Sequence, residues 1–204
     1  MKRQAIDFKN PALEEHFSPI LSRWIKNIDK YSVKAGSYDS LYWNIERANL
    51  SIFAAAAWQC GYFAQEEYSY EKRNEDKSRY LGRVDMWLSC DGHDYIFEAK
   101  QVYVSISQKS NAYKSKIKRV LQDARDAAKR SRDKGDTALG LVFIVPYFHK
   151  EEKKPKACIN DLINFIVSID YGFMAYTFPK NSAQLESGNY LFPGIVFIGR
   201  RPRR

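Results

Sequence analysis

Gly82-Arg83-Val84-Asp85-Met86-Trp87-Leu88-Ser89-Cys90-Asp91-Gly92-His93-Asp94-Tyr95-Ile96-Phe97-Glu98-Ala99-Lys100 decides how the chain folds. Two runs rich in β-branched and aromatic residues flank Asp91-Gly92, a dipeptide suited to the positive φ of a two-residue hairpin turn. With Asp91 and Gly92 as the loop, Cys90 lies opposite His93. The same register sets Asp85 against Glu98 and Arg83 against Lys100. Side chains alternate with a period of two. One face therefore carries Arg83, Asp85, Trp87, Asp94, Ile96, Glu98 and Lys100. The other carries Val84, Met86, Leu88, Phe97 and Ala99, and is the core face.

Facing carboxylates on a sheet repel. At about 5 Å the cost is about 1 to 3 kcal/mol at intermediate dielectric. A divalent cation between Asp85 and Glu98 reverses the sign. Hard cations such as Mg²⁺ take carboxylate oxygens and need only one or two from the protein. Lys100 emerges on the same face, two residues after Glu98. The alternative is a solvated hairpin face of mixed charge.

The chain has 204 residues, 45% hydrophobic and 15% aromatic, which fits one globular domain and excludes disorder. A formal charge of +9 favours a polyanionic partner, nucleic acid before anionic membrane. Cys60, Cys90 and Cys158 are widely spaced and make no zinc or Fe–S pattern. Sparse, odd cysteines fit a reducing cytoplasm. The N-terminus has no signal-peptide pattern, and the most apolar stretch, 50–58, is too short to span a bilayer.

Ahead of the hairpin, residues 11–30 carry a helical stripe of Leu13, Phe17, Leu21, Trp24 and Ile28, with Pro19 a site for a kink. A second helix is expected from Asp39 or Ser40 to Cys60-Gly61, with Glu46 on a face shared with Tyr42, Trp43, Leu50 and Phe53. A carboxylate there needs a partner or a metal, unless it sits at the edge of the stripe and reaches water. Residues 62–71 read as a strand and 71–79 as an exposed charged turn. Beyond the hairpin, the stretch 109–134 has ten Lys or Arg against three Asp, a net of +7. Its apolar residues Ile117, Val120, Leu121, Ala124 and Ala128 make one stripe of a helix that ends at Gly135-Asp136. Such a cationic surface binds phosphate or serves only solubility. Residues 138–146 are continuously apolar, the mark of a strand buried on both faces and joined by a parallel crossover. A helix over 159–169 and strands over 173–178 and 195–198 follow, then a basic tail, 200–204.

The order helix, three-strand meander, helix, strand, with acids on the first helix and on the second and third strands, resembles the PD-(D/E)XK nuclease superfamily. The residues that carry the resemblance are Asp85 in Gly82-Arg83-Val84-Asp85, the tripeptide Glu98-Ala99-Lys100, and Glu46 on the preceding helix. Val84 stands where the motif's name has proline. The resemblance covers about residues 40–146 and implies an α/β fold with a mixed sheet and a restriction-endonuclease-like core. A helical segment 1–38 would precede that core and a C-terminal αββ extension, 147–204, would follow it, all in one domain.

The resemblance further implies Mg²⁺- or Mn²⁺-dependent phosphodiester hydrolysis, with DNA as the expected substrate. Asp85, Glu98 and the Ala99 carbonyl would hold the metal, with Glu46 completing the acidic set. Glu66 and Glu67 compete with Glu46 for that place. Lys100 would orient the attacking water or stabilise the transition state. Lys114, Lys118, Arg119, Gln122 and Arg125 would contact phosphate. Double-strand cleavage by one such site usually needs a homodimer, but nothing in the sequence marks an interface, and the oligomeric state stays open. The competing readings are a catalytically silent nucleic-acid-binding or assembly protein, and a peripheral membrane protein, against which the lack of exposed Trp or Phe on the basic helix weighs.

Overall fold

The computed structural model describes residues 2–36, 38–74, 76, 78–107, 111–131 and 137–202, without the side chains of 183 and 184. Parts of the stretches read above fall outside these residues: positions 75 and 77 of the charged turn, positions 109, 110 and 132–134 of the basic stretch, the expected helix end at Gly135-Asp136, and the last two arginines of the tail.

The described strands are β1 (Gln4–Phe8), β2 (Phe63–Arg73), β3 (Arg79–Cys90), β4 (His93–Ser105), β5 (Thr137–His149), β6 (Phe173–Thr177), β7 (Glu186–Ser187), β8 (Tyr190–Leu191) and β9 (Ile195–Arg200). The described α-helices are α1 (Glu14–Ala35), α2 (Glu46–Gln59), α3 (Ala112–Arg130) and α4 (Pro155–Ser168). One mixed sheet runs in the order β1-β6-β9-β5-β4-β3-β2, with a short β7–β8 ribbon beside the end of β5. The β4–β5 pair is parallel, with α3 as its crossover.

Helices cover both faces. On one side Phe17, Trp24 and Ile28 of α1 and Phe53 of α2 meet Phe97, Leu141, Phe143 and Phe197. On the other, Ile117 and Leu121 of α3 and Leu162 and Ile166 of α4 meet Val102, Val142, Ile144 and Val196. Strand β5 is buried on both faces for this reason, which accounts for its unbroken apolar run. The result is a three-layer α/β sandwich.

Four expectations change. The N-terminal segment is not only helical, because β1 pairs antiparallel with β6 at the sheet edge. Helix α1 runs through Pro19 without a break, its ring exposed on the outer face. Helix α2 starts at Glu46, not at Asp39 or Ser40. Leu41, Tyr42 and Trp43 mimic a helical stripe but belong to the connection. Tyr42 is fully buried there and donates to the Phe192 carbonyl (2.7 Å), so tertiary packing uses the apolar residues that local periodicity assigned to a helix. Last, the C-terminal residues are no appendage, since β9 is inserted between β5 and β6.

Candidate metal and phosphate site

The Asp91-Gly92 turn forms as expected, with φ of 48° and 77°. The ladder reads Cys90↔His93, Ser89↔Asp94, Leu88↔Tyr95, Trp87↔Ile96 and Met86↔Phe97, and ends there. Asp85 is the next residue. On the other side of β3 the ladder passes from Glu66↔Met86 to Tyr68↔Val84, and Glu67, opposite Asp85, takes a φ of 52°. Asp85 therefore sits where the pairing of β3 is interrupted on both sides. The Ala99 N–H, left without a strand partner, donates to Asp85 Oδ2 at 2.6 Å. A buried backbone donor needs an acceptor, and here the carboxylate supplies it.

Glu98 is only 5% exposed. Its Oε1 accepts from Lys72 Nζ at 2.6 Å and from Ser131 Oγ. Ser131 is the residue at which α3 ends. The acidic face of the hairpin is thus no open surface, since α3 lies over it. Gly140, the register partner of Glu98 on β5, makes this possible. A Cβ at Gly140 would stand 2.6 Å from the Ala124 carbonyl carbon and 2.8 Å from Arg125 N, both backbone atoms of α3.

Lys100 Nζ donates to the Ala99 carbonyl at 2.7 Å. Glu46, the first residue of α2, lies in the same neighbourhood. Desolvation raises its carboxyl above the ordinary range; the Lys100 ammonium opposes the shift, while the charges of Asp85 and Glu98 add to it. The Asp85 carboxyl is also raised, first by desolvation and then by the Glu98 charge, against the Ala99 hydrogen bond and the ammonium groups of Lys100 and Lys72. Burial and mutual repulsion both disfavour the charged forms here. Helix α2 is tied to this spot by Asn49, which is fully buried and donates to the Tyr42 carbonyl (3.1 Å) and to Gln101 Oε1 (2.7 Å).

The structure links Asp85 to the Ala99 N–H and Lys100 to the Ala99 carbonyl by hydrogen bonds, and sets Glu46 within electrostatic reach of Asp85, Glu98 and Lys100. It directs Glu66 and Glu67 elsewhere: Glu66 accepts from Ser51 at 3.0 Å, and Glu67 pairs with Arg47 and Arg83. Lys72 and Ser131 were not foreseen. Lys72 comes from two strands away and Ser131 from a helix end, so no local spacing marks either. Among the described residues no three His, Cys, Asp or Glu side chains stand close enough together to hold a metal.

On α3, Lys118, Arg119 and Gln122 are exposed. Lys114 is half-buried, its ammonium 5.8 Å from the Tyr113 ring and 5.9 Å from the Phe165 ring. Arg125 corrects an expectation. It is 6% exposed and donates to Gln122 Oε1 at 2.9 Å. Four residues after Leu121 and three before Ala128, it falls on the sheet-facing stripe and not on the phosphate-accessible surface. His16 and His93, which show no clustering in sequence, have ring centroids 4.6 Å apart at the far end of the hairpin. The three cysteines are free thiols. No described helix is long and apolar enough to cross a membrane.

No family model matches the chain, and neither the curated proteins nor the solved structures contain a match.

Proposed function

We propose that this chain is a divalent-metal-dependent nuclease of the PD-(D/E)XK kind, hydrolysing phosphodiester bonds with DNA as its substrate. One observation carries the reading. Asp85 leaves both strand ladders, and its carboxylate feels the charges of Glu98 and Lys100 and bears in turn on Glu46. A purely structural sheet gains nothing from half-burying the Asp85 and Glu46 carboxylates, which burial and neighbouring negative charge push toward the protonated form. The observed order α2, β2-β3-β4, α3, β5 supports the same reading.

The donors fit a hard divalent cation in kind. The Asp85 and Glu46 carboxylates and the Ala99 carbonyl are oxygen ligands, and the two carboxylates carry an electrostatic deficit that positive charge relieves. Asp85, Glu98, Ala99 and Glu46 would hold Mg²⁺ or Mn²⁺, which would lower the pKa of a bound water and neutralise phosphate charge. The chain's own contribution is positional. The Ala99 N–H fixes one Asp85 oxygen and leaves the other for a ligand. Lys100, whose ammonium rests on the Ala99 carbonyl, would orient a water or meet the charge on a pentavalent phosphorus. Lys118, Arg119 and Gln122 offer an exposed track for the nucleic-acid backbone.

A second reading, a catalytically silent nucleic-acid-binding protein, is favoured by one feature: Lys72 and Lys100 already satisfy Glu98 and the Ala99 carbonyl. Cleavage of supercoiled plasmid and labelled oligonucleotides in Mg²⁺ or Mn²⁺ separates the two. The nuclease reading expects cleavage, lost in Asp85→Ala, Glu98→Ala and Lys100→Ala while thermal melts show the fold retained. If the wild type and Asp85→Ala bind DNA alike and neither cleaves any substrate, the enzyme reading fails.

A further inference from the structure

Lys72 is the part of this site that the nuclease reading does not use. It lies on β2, the edge strand, whereas Glu98 is on β4, so its side chain spans β3 to reach its partner. The stem passes Gly82. A Cβ there would stand 3.1 Å from Lys72 Cδ and 3.2 Å from Tyr80 Cε2. The missing side chain at Gly82 leaves the channel through which the lysine runs. The Lys72 side chain is 14% exposed and its ammonium is 2.6 Å from Glu98 Oε1. Ordering a side chain with this many rotamers and burying its charge are both costly, so the pair is held by the surrounding structure, not by chance contact at a surface.

The charges give this contact a consequence. Glu46, Asp85 and Glu98 formally supply three negative charges, and Lys72 and Lys100 return two positive ones. A divalent ion entering that set meets little net attraction while Lys72 stays. Glu98 Oε1 also has its accepting directions taken up by Lys72 and Ser131. We propose that Lys72 is the resident counter-ion of Glu98 and that a divalent metal fills the site by displacing it. Lys72 is then a positioning residue that sets the metal concentration at which the site loads. The proposal rests on the metal-dependent reading above.

The test is calorimetric titration of MnCl₂ into the metal-free protein, with no substrate and no activity measured. It compares wild type, Lys72→Gln, Gly82→Val and Asp85→Asn. Lys72→Gln keeps a hydrogen-bond donor for Glu98 but removes the charge. Gly82→Val keeps the lysine and closes its channel, and so decides the matter if Lys72→Gln does not fold. Both are expected to bind Mn²⁺ about tenfold more tightly than wild type, the effect of one positive charge removed from a ligand oxygen. Asp85→Asn is expected to abolish binding. Wild-type binding that depends on Asp85 but is no weaker than in the folded Lys72→Gln and Gly82→Val variants overturns the counter-ion proposal and leaves the metal site standing. Absence of Mn²⁺ binding in every variant overturns both.

Discussion

Replacing Gly140 by alanine tests how the sheet and α3 together build the acidic site. The added Cβ would meet the Ala124 carbonyl carbon at 2.6 Å, its oxygen at 2.7 Å and Arg125 N at 2.8 Å. Carbon atoms pack favourably at about 3.5–4.0 Å, so α3 must retreat by about 1 Å. The obstructing atoms are helix backbone and cannot turn aside as a side-chain end can. Overpacking of this kind costs about 1–3 kcal/mol. In a chain of this length each kcal/mol lowers Tm by about 2–4 °C, so a loss of about 2 kcal/mol lowers it by about 4–8 °C. The shift also carries Ser131 away from Glu98, the register partner of Gly140, and so opens the burial of that carboxylate. Thermal melts and urea denaturation measure the first effect. The second is read as faster amide exchange at Glu98 and Ala99. If Gly140→Ala melts within about 1 °C of wild type, α3 is not held against β5 as described, and the explanation for the burial of Glu98 fails with it.

Other consequences concern the acids, the α2 anchor and the basic helix. The Asp85 and Glu46 carboxyls have native pKa values raised above the unfolded ones, chiefly by burial, so the native state binds their protons more tightly. Their contribution to stability is therefore largest at acid pH and is lost as pH rises through the raised native values. Asp85→Asn, which keeps an acceptor for the Ala99 N–H, should melt higher than wild type at pH 7; melts below the ordinary carboxylate range should show that gain gone. Asn49→Leu removes the donor shared by the Tyr42 carbonyl and Gln101, and should lower stability by about 1–3 kcal/mol in urea unfolding. Lys118→Glu and Arg119→Glu should weaken DNA binding measured by fluorescence anisotropy. Removing one phosphate-binding cation should reduce the slope of log K against log salt by about 1, whereas Asp123→Asn should not reduce it.

Much of the hairpin was legible from residues alone. Asp91-Gly92 admits one tight turn, and a tight turn dictates which residues oppose one another; every pair from Cys90↔His93 to Met86↔Phe97 follows from it. The apolar run 138–146 carries the pattern of a strand covered on both sides, and Ile117, Val120, Leu121, Ala124 and Ala128 that of one helical stripe; β5 and α3 are that strand and that helix. Other features were misread for a common reason. Leu41, Tyr42 and Trp43 satisfy helical periodicity, yet Tyr42 is spent on a contact with Phe192, 150 residues away. Arg125 is charged and so reads as surface, yet its position on α3 turns it to the sheet.

What the sequence by itself determined is therefore local. It set the register from Cys90↔His93 to Met86↔Phe97, the placement of Lys100 two residues after Glu98, and a cationic helix after them. Only the tertiary structure decided that the ladders on both sides of β3 are interrupted at Asp85, that Glu98 is buried beneath α3, that Glu46 opens α2 beside it, and that Lys72 reaches Glu98 across an intervening strand. The physical reason is the range of the interactions. A turn acts between neighbours, and its chemistry is written in two residues. The environment of a carboxylate depends on how closely a helix approaches a sheet, and here that approach rests on a hydrogen atom at Gly140, 42 residues from Glu98 in the chain.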